Sequence, residues 1–163
     1  MIAVNQSPRR IPTADIRNQI IDALYRFGAG QDLRDRALFE SAFAPEATLD
    51  FTQPAQRFGA TLPIFQSRCG IADAVFQAID ALDTTHSMTN PRVTAYDGKQ
   101  AALFALVEAQ HLPRGDHRRH LLLKNIFMLQ LSEHAGDWLI DCMKINNVWF
   151  PGDPAVLFRE QNA

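Results

Sequence analysis

Residues 84–112 read TTHSMTNPRVTAYDGKQAALFALVEAQHL, two runs separated by Asp97-Gly98, each with a histidine at the end far from the break. Val93 to Tyr96 and Ala101 to Val107 are rich in β-branched, aromatic and small apolar residues. Asp-Gly between such runs marks a β-hairpin, because the tight turn needs positive φ at its central residues. A two-residue loop sets Tyr96 opposite Lys99, and counting outward from that pair puts His86 opposite Ala109 and one diagonal step from His111. Both imidazoles then leave the same face of the sheet, with Cβ atoms roughly 5–8 Å apart. A slip of one residue would send them to opposite faces, so the register decides whether they form a site.

Outward from the hairpin, the chain places helices first and long strands last. Residues 1–12 hold Pro8, Arg9, Arg10 and Pro12 and read as a loose arm. Thr13 is a natural N-cap, and Ile16, Ile20, Ile21, Leu24 and Phe27 recur at helical spacing up to Gly28 and Gly30, where the helix is expected to stop. Leu33 to Phe43 reads as a second helix with Leu38, Ala42 and Phe43 inward, and Asp32 as its cap. Ala47 to Thr52 alternates as a short strand, and residues 53–68, with Pro54, Gly59 and Pro63, form an irregular segment over a pocket. Ile71 to Leu82 is again helical in spacing. After the first hairpin and a polar loop at residues 113–119, His120 to Leu131 and Trp138 to Phe150 form a second one. The Arg-Gly-Asp triplet inside that loop is a chance match. Pairing Glu133 with Trp138 sets Asn125 opposite Asn146, and both faces of this hairpin carry apolar residues, which calls for cover on both sides by helices and by a partner subunit. Helices followed by antiparallel strands argue an α+β fold.

The composition narrows the function. A chain of 163 residues makes one domain, 1–163, able to bury about two thirds of its unfolded surface around an internal pocket. With 47% hydrophobic and 21% charged residues and a net charge of −2, it offers no basic field for nucleic acid. Cys69 and Cys142 lack the spacing of a disulfide framework or a zinc site and suit a reducing, cytoplasmic setting. No run has the length of a signal peptide core or a membrane span, so neither export nor a membrane partner is expected. No serine or cysteine lies in a nucleophile elbow, no glycine-rich phosphate loop follows a strand, and no HExxH occurs, which disfavours covalent catalysis and nucleotide cofactors.

The candidate chemistry lies with Asp32, His86 and His111. His86 sits in a polar run and also reads as a surface residue, whereas His111 continues the apolar face of Leu103, Ala105, Val107 and Ala109 and also reads as a structural histidine. A carboxylate that reaches a strand imidazole fixes its tautomer and raises its basicity, giving a general base near neutral pH, with the second histidine as acid. The competing use is a facial metal triad, which the absence of a compact HxH or HxD pair disfavours; no metal is expected. Tyr25, Phe51, Phe65 and Trp149 are candidate pocket walls, each also explained as core, and Asn125 is a candidate donor to a ligand oxygen.

Several segments together resemble the nuclear transport factor 2-like superfamily in its SnoaL-like branch: Ile20 to Asp32 with Tyr25, Leu38 to Asp50, Thr84 to Asn90, Glu108 to His111, Gly136-Asp137-Trp138, and Ile145 to Trp149. The resemblance implies a cone of curved mixed or antiparallel sheet and N-terminal helices around an apolar pocket, with the outer sheet face making a homodimer or higher oligomer. Scytalone dehydratase and hexachlorocyclohexane dehydrochlorinase, members of that superfamily, use an aspartate–histidine pair without cofactor. Asp32 is similar in place to their aspartate, His86 to their strand histidine, and His111 to the dehydratase histidine that contacts the aspartate. The dehydratase's paired substrate tyrosines and the dehydrochlorinase's catalytic arginine are not assigned to positions in this sequence. The expectation is a cofactor-independent lyase or isomerase acting on a small, largely apolar molecule with a carbonyl or hydroxyl. The alternative is a ligand-binding or structural subunit of the same fold.

Overall fold

A computed structural model describes residues 10–157. Helix α1 (Ala14–Asp32) is capped by Thr13, whose hydroxyl accepts from Ile16 N at 3.3 Å, and buries Ile20, Ile21, Ala23, Leu24 and Phe27. It runs straight through Gly28 and Gly30, where the sequence suggested a stop. These glycines serve packing: a Cβ on Gly30 would lie 2.5 Å from the Phe39 backbone nitrogen, and one on Gly28 would lie 2.4 Å from Met88 Cε and 3.3 Å from His86 Cβ. The C-terminal half of α1 is thereby pressed onto the elements that follow it.

Helix α2 (Arg36–Glu40) is a single short turn capped by Asp35, which accepts from Leu38 N at 2.9 Å. The expected longer helix with Asp32 as its cap does not form. Phe39 is its buried residue, and Phe43 already opens strand β1 (Phe43–Asp50), which holds Pro45 and Glu46 exposed at an irregularity in its pairing. The segment expected to be irregular folds as helix α3 (Thr52–Arg57) and a two-residue strand β2 (Phe65–Gln66), and helix α4 (Arg68–Ala78) ends four residues earlier than the apolar spacing suggested. Strands β3 (Leu82–Tyr96), β4 (Gln100–Pro113), β5 (Leu121–His134) and β6 (Asp137–Trp149) follow, and a 3₁₀ turn (Pro154–Val156) closes the described chain. Most of the N-terminal arm, residues 1–9, lies outside the described residues.

The result is an α+β fold with a six-stranded, curved, unclosed sheet in the order β2-β1-β6-β5-β4-β3. All neighbours are antiparallel except β1 and β6, so the sheet is mixed. Its concave face meets α1 over a core that includes Phe27, Phe39, Phe43, Leu103, Phe127 and Ile140. On the convex face Leu106 and Met128 stay 37% and 40% exposed.

The central hairpin reaches the expected register by an unexpected route. Tyr96 pairs with Ala101, not Lys99, because Asp97 caps a longer loop by accepting from Lys99 N at 2.9 Å and Gln100 N at 2.8 Å. That lengthens the loop by two residues. Two irregularities in β3, between Thr89 and Arg92 and between Val93 and Ala95, each absorb one, and His86 pairs with Ala109 after all. In the second hairpin, Ala135 and Gly136 take positive φ at a two-residue turn, and Glu133 faces Trp138. A register shift between Gln130 and Leu131, which skips Asp141, then moves Asn125 opposite Asn147, correcting the pairing with Asn146.

Candidate active site

The last residue of α1 and the start of β3 bring Asp32 to His86. Asp32 Oδ1 lies 2.7 Å from His86 Nδ1, and its Oδ2 accepts from the His86 backbone N–H at 2.7 Å. Thr84, on the same face one step along β3, donates its hydroxyl to Oδ1 at 3.0 Å. A carboxylate at a helix C-terminus faces the negative end of the helix dipole, and these three bonds answer that cost. Burial works against ionisation of Asp32, but the hydrogen bonds and charge of His86, with Thr84, outweigh it and hold the carboxyl below its ordinary range. An ionised carboxylate only accepts, so the hydrogen between the two groups sits on His86 Nδ1 and leaves Nε2 as the basic nitrogen.

His111 pairs with Thr84 across the strands, and its ring meets that of His86 edge to face with centroids 6.2 Å apart. It is 5% exposed. Its Nδ1 has no partner among the described residues. Burial, reinforced by His86, pushes its pKa down to about 4, so the ring is neutral at pH 7. The hydrogen bonds of Asp32 go to His86 and Thr84, not to His111. Among the described residues, no three potential ligands converge to hold a metal ion.

Both histidines line a cavity, partly open to solvent, between the concave sheet and helices α1 and α4. Its walls are apolar and include Phe27, Leu49, Phe51, Phe65, Val75 and Phe127, and among the described residues no charged side chain other than a histidine lines it. Of the candidate walls, Phe51 and Phe65 are in place. Tyr25 is 47% exposed and Trp149 53% exposed, and neither lines the cavity. Trp149 pairs with Lys124 after a register shift at Val148, and the Lys124 ammonium sits 5.3 Å from its ring centroid.

Asn125 also lines the cavity, and its orientation is set from behind. Asn147 Nδ2 faces two backbone carbonyls, Trp149 at 3.1 Å and Lys124 at 3.4 Å, so the nitrogen belongs there, and it donates to Asn125 Oδ1 at 2.9 Å. With its oxygen taken, the amide nitrogen of Asn125 is left to face the ligand space. Gln53 grips the Asn147 backbone on both sides, accepting from its N at 2.8 Å and donating to its O at 3.2 Å. Gln31, which donates to Phe27 O at 3.2 Å, is a further polar wall. Sequence reasoning gave no site role to Gln31, Thr84 or Asn147. Thr84 was within reach, since it lies at the same period-2 spacing as His86.

Residues 12–144 match the SnoaL-like domain. The chain belongs to that family. The family includes cofactor-independent dehydratases and isomerases, and its members bind small apolar substrates and often form oligomers. The chain is 28% identical over 151 residues to terrestric acid biosynthesis cluster protein E of Penicillium crustosum, covering 89% of this chain and 91% of that one. Among solved structures it resembles Kfla4162 of Kribbella flavida, with a TM-score of 0.76, 21% identity and coverage of 90% and 99%. It also resembles the hexachlorocyclohexane dehydrochlorinase LinA-type3 of Novosphingobium barchaimii, with a TM-score of 0.71, 16% identity and coverage of 86% and 91%. At those identities the structures speak for the fold. Among the described residues no helix is long and apolar enough to cross a membrane.

Proposed function

We propose that this SnoaL-like protein is a cofactor-independent lyase or isomerase that works by proton transfer on a small, uncharged, largely apolar molecule carrying a carbonyl or hydroxyl. The observation that carries the reading is the 2.7 Å contact between Asp32 and His86 at the wall of an apolar cavity. His86 Nε2 takes a proton from a carbon next to the carbonyl, and Asp32 balances the imidazolium that forms. The electron pair of the broken C–H bond becomes a C=C bond. In an elimination the leaving oxygen departs with its own bonding pair and takes the proton back from Nε2; in an isomerisation that proton returns to another carbon. His111, neutral, donates a hydrogen bond to the developing oxygen charge without giving up a proton, and Asn125 offers a second donor. Phe51 and Phe65 hold the apolar body of the substrate.

The same reading has the protein act as a homodimer in the cytoplasm. The exposed Leu106 and Met128 on the convex sheet support the first, and the two free cysteines, Cys69 and Cys142, the second. A strict monomer by sedimentation at micromolar concentration would refute the dimer.

The decisive experiment compares wild type with Asp32→Asn on a panel of β-hydroxy ketones and enolisable cyclic ketones, following loss of water and exchange of the α-proton in D2O. Turnover should fall by about 10²–10⁴-fold in the variant, with ligand affinity nearly unchanged. Equal turnover in Asp32→Asn removes Asp32 from the chemistry. Tight binding with no turnover in the wild type favours the binding-protein alternative.

A further inference from the structure

Arg34 occupies backbone that disfavours it. Its φ is +57°, and it stands two residues past Asp32, where α1 is closed by Arg34 N–H to Gln31 O at 3.2 Å and Asp35 N–H to Gly30 O at 2.9 Å. This left-handed position after a helix is usually given to glycine, because any side chain strains it. A strained residue that persists points to something its side chain does.

Here the side chain joins two elements. The guanidinium donates to Gln31 O at 3.3 Å, next to Asp32, and also to Leu82 O at the first residue of β3. Leu82 lies two positions before Thr84 and four before His86, and these are the residues that hold the Asp32 carboxylate. One rigid planar group therefore ties the end of α1 to the start of β3, on either side of the Asp32–His86 contact. The cation also suits the helix C-terminus, whose free carbonyls carry partial negative charge. Asp32, Asp80 and Asp83 attract it and Arg114 repels it. Asp83 is itself occupied by His117 at 2.8 Å and Arg114 at 3.5 Å. Arg34 does not line the cavity.

We propose that Arg34 is the positioning residue of the proton-transfer pair, setting the spacing between α1 and β3 that keeps Asp32 Oδ1 on His86 Nδ1. The proposal rests on the reading of that pair as the general base. It also gives the arginine a task at a position where the backbone favours glycine.

The test is NMR of the histidine side chains at pH 7 in wild type, Arg34→Gln, Arg34→Lys and Arg34→Gly, with a thermal melt of each. The wild type should show His86 protonated at Nδ1, with that N–H protected from solvent exchange. In Arg34→Gln and Arg34→Gly the exchange should accelerate at least ten-fold and the Nε2-protonated tautomer should appear. Arg34→Lys should fall between, since one ammonium does not span both carbonyls as a fork does. Arg34→Gly relieves the backbone strain and stays folded even where Arg34→Gln does not, so loss of the signature in that variant separates positioning from general stability. An unchanged Nδ1–H in folded Arg34→Gly overturns the proposal. A wild type without any protected Nδ1–H at His86 overturns the pair itself and the functional reading with it.

Discussion

Lowering the pH from 8 should destabilise this protein through His111. The ring is buried and His86 faces it, which outweighs the opposing pull of the Leu121 and Ala109 backbone and of Asp32, so its pKa falls from 6.5 to about 4. Between those values the unfolded chain binds a proton at His111 that the folded chain refuses, and stability declines as pH falls through that window and levels off below it. Taking the two pKa values, the loss relative to pH 8 is about 2 kcal/mol at pH 5 and about 3 kcal/mol at pH 4. Asp32 acts in the opposite range: its carboxyl is held below its ordinary value, so its contribution persists above pH 4 and is lost only on further acidification. Urea unfolding of wild type and His111→Gln at intervals from pH 8 to pH 4 isolates the effect, because every other titrating group is common to both. With an m-value of about 2 kcal/mol/M, the wild-type midpoint should drop about 1 M more than that of His111→Gln by pH 5. Parallel midpoints for the two proteins would refute the claim that His111 is held neutral.

Two further substitutions test the packing. Gly30→Ala places a Cβ 2.5–2.6 Å from the backbone and Cβ of Phe39, atoms that cannot swing aside, so it should cost about 1–3 kcal/mol and lower the melting temperature by about 3–10 °C in calorimetry. Trp149→Ala, which removes a half-exposed ring on the convex side under the Lys124 ammonium, should change stability by less than about 1 kcal/mol and leave the affinity of a cavity ligand unchanged; a clear loss of affinity would restore Trp149 as a pocket wall.

The class of fold was legible because its signals are long: four strands of 13 to 15 residues and a 19-residue helix outlast any local ambiguity. The short elements were not. The pair Gly28 and Gly30 reads as a helix stop by propensity alone, yet the demand for close approach to Phe39 and Met88 overrides propensity, and that demand is tertiary. Helix α2 was overextended because Ala42 and Phe43 are as apolar in a buried strand as in a helix. The His86 register was right through two compensating departures, a longer loop and two strand irregularities, neither visible as a pattern of residue types. The site was half legible. His111 stood out as a polar residue on an apolar strand face, and His86 and Asp32 through the hairpin register and the helix break, whereas Tyr25 and Trp149 were chosen for residue type, and type does not say which face a side chain takes. Asn147 was given no role because the uninterrupted register set Asn146 opposite Asn125, and the irregularity between Gln130 and Leu131 that moves Asn147 there is not a pattern of residue types.

The electrostatics of the cavity constrain the proposed chemistry further than the distances do. Among the described residues the lining carries no ionisable group apart from His86 and His111, and against those walls an ionic substrate would be buried without a counter-charge, at a cost of several kcal/mol. A neutral substrate is the one the walls favour. Within the site the two imidazoles lie in edge-to-face contact and cannot both be charged without repulsion, and only His86 has a carboxylate to balance it. In the proposed chemistry His86, the ring bonded to Asp32, handles the moving proton, because a group such as His111 with a pKa of about 4 is a poor acid supply at pH 7. On the proposed reading the acid and the base are then the same ring at successive moments, with His111 serving as a fixed dipole. Two histidines of identical chemistry are assigned different tasks by one hydrogen bond to Asp32 and by the depth at which each is buried.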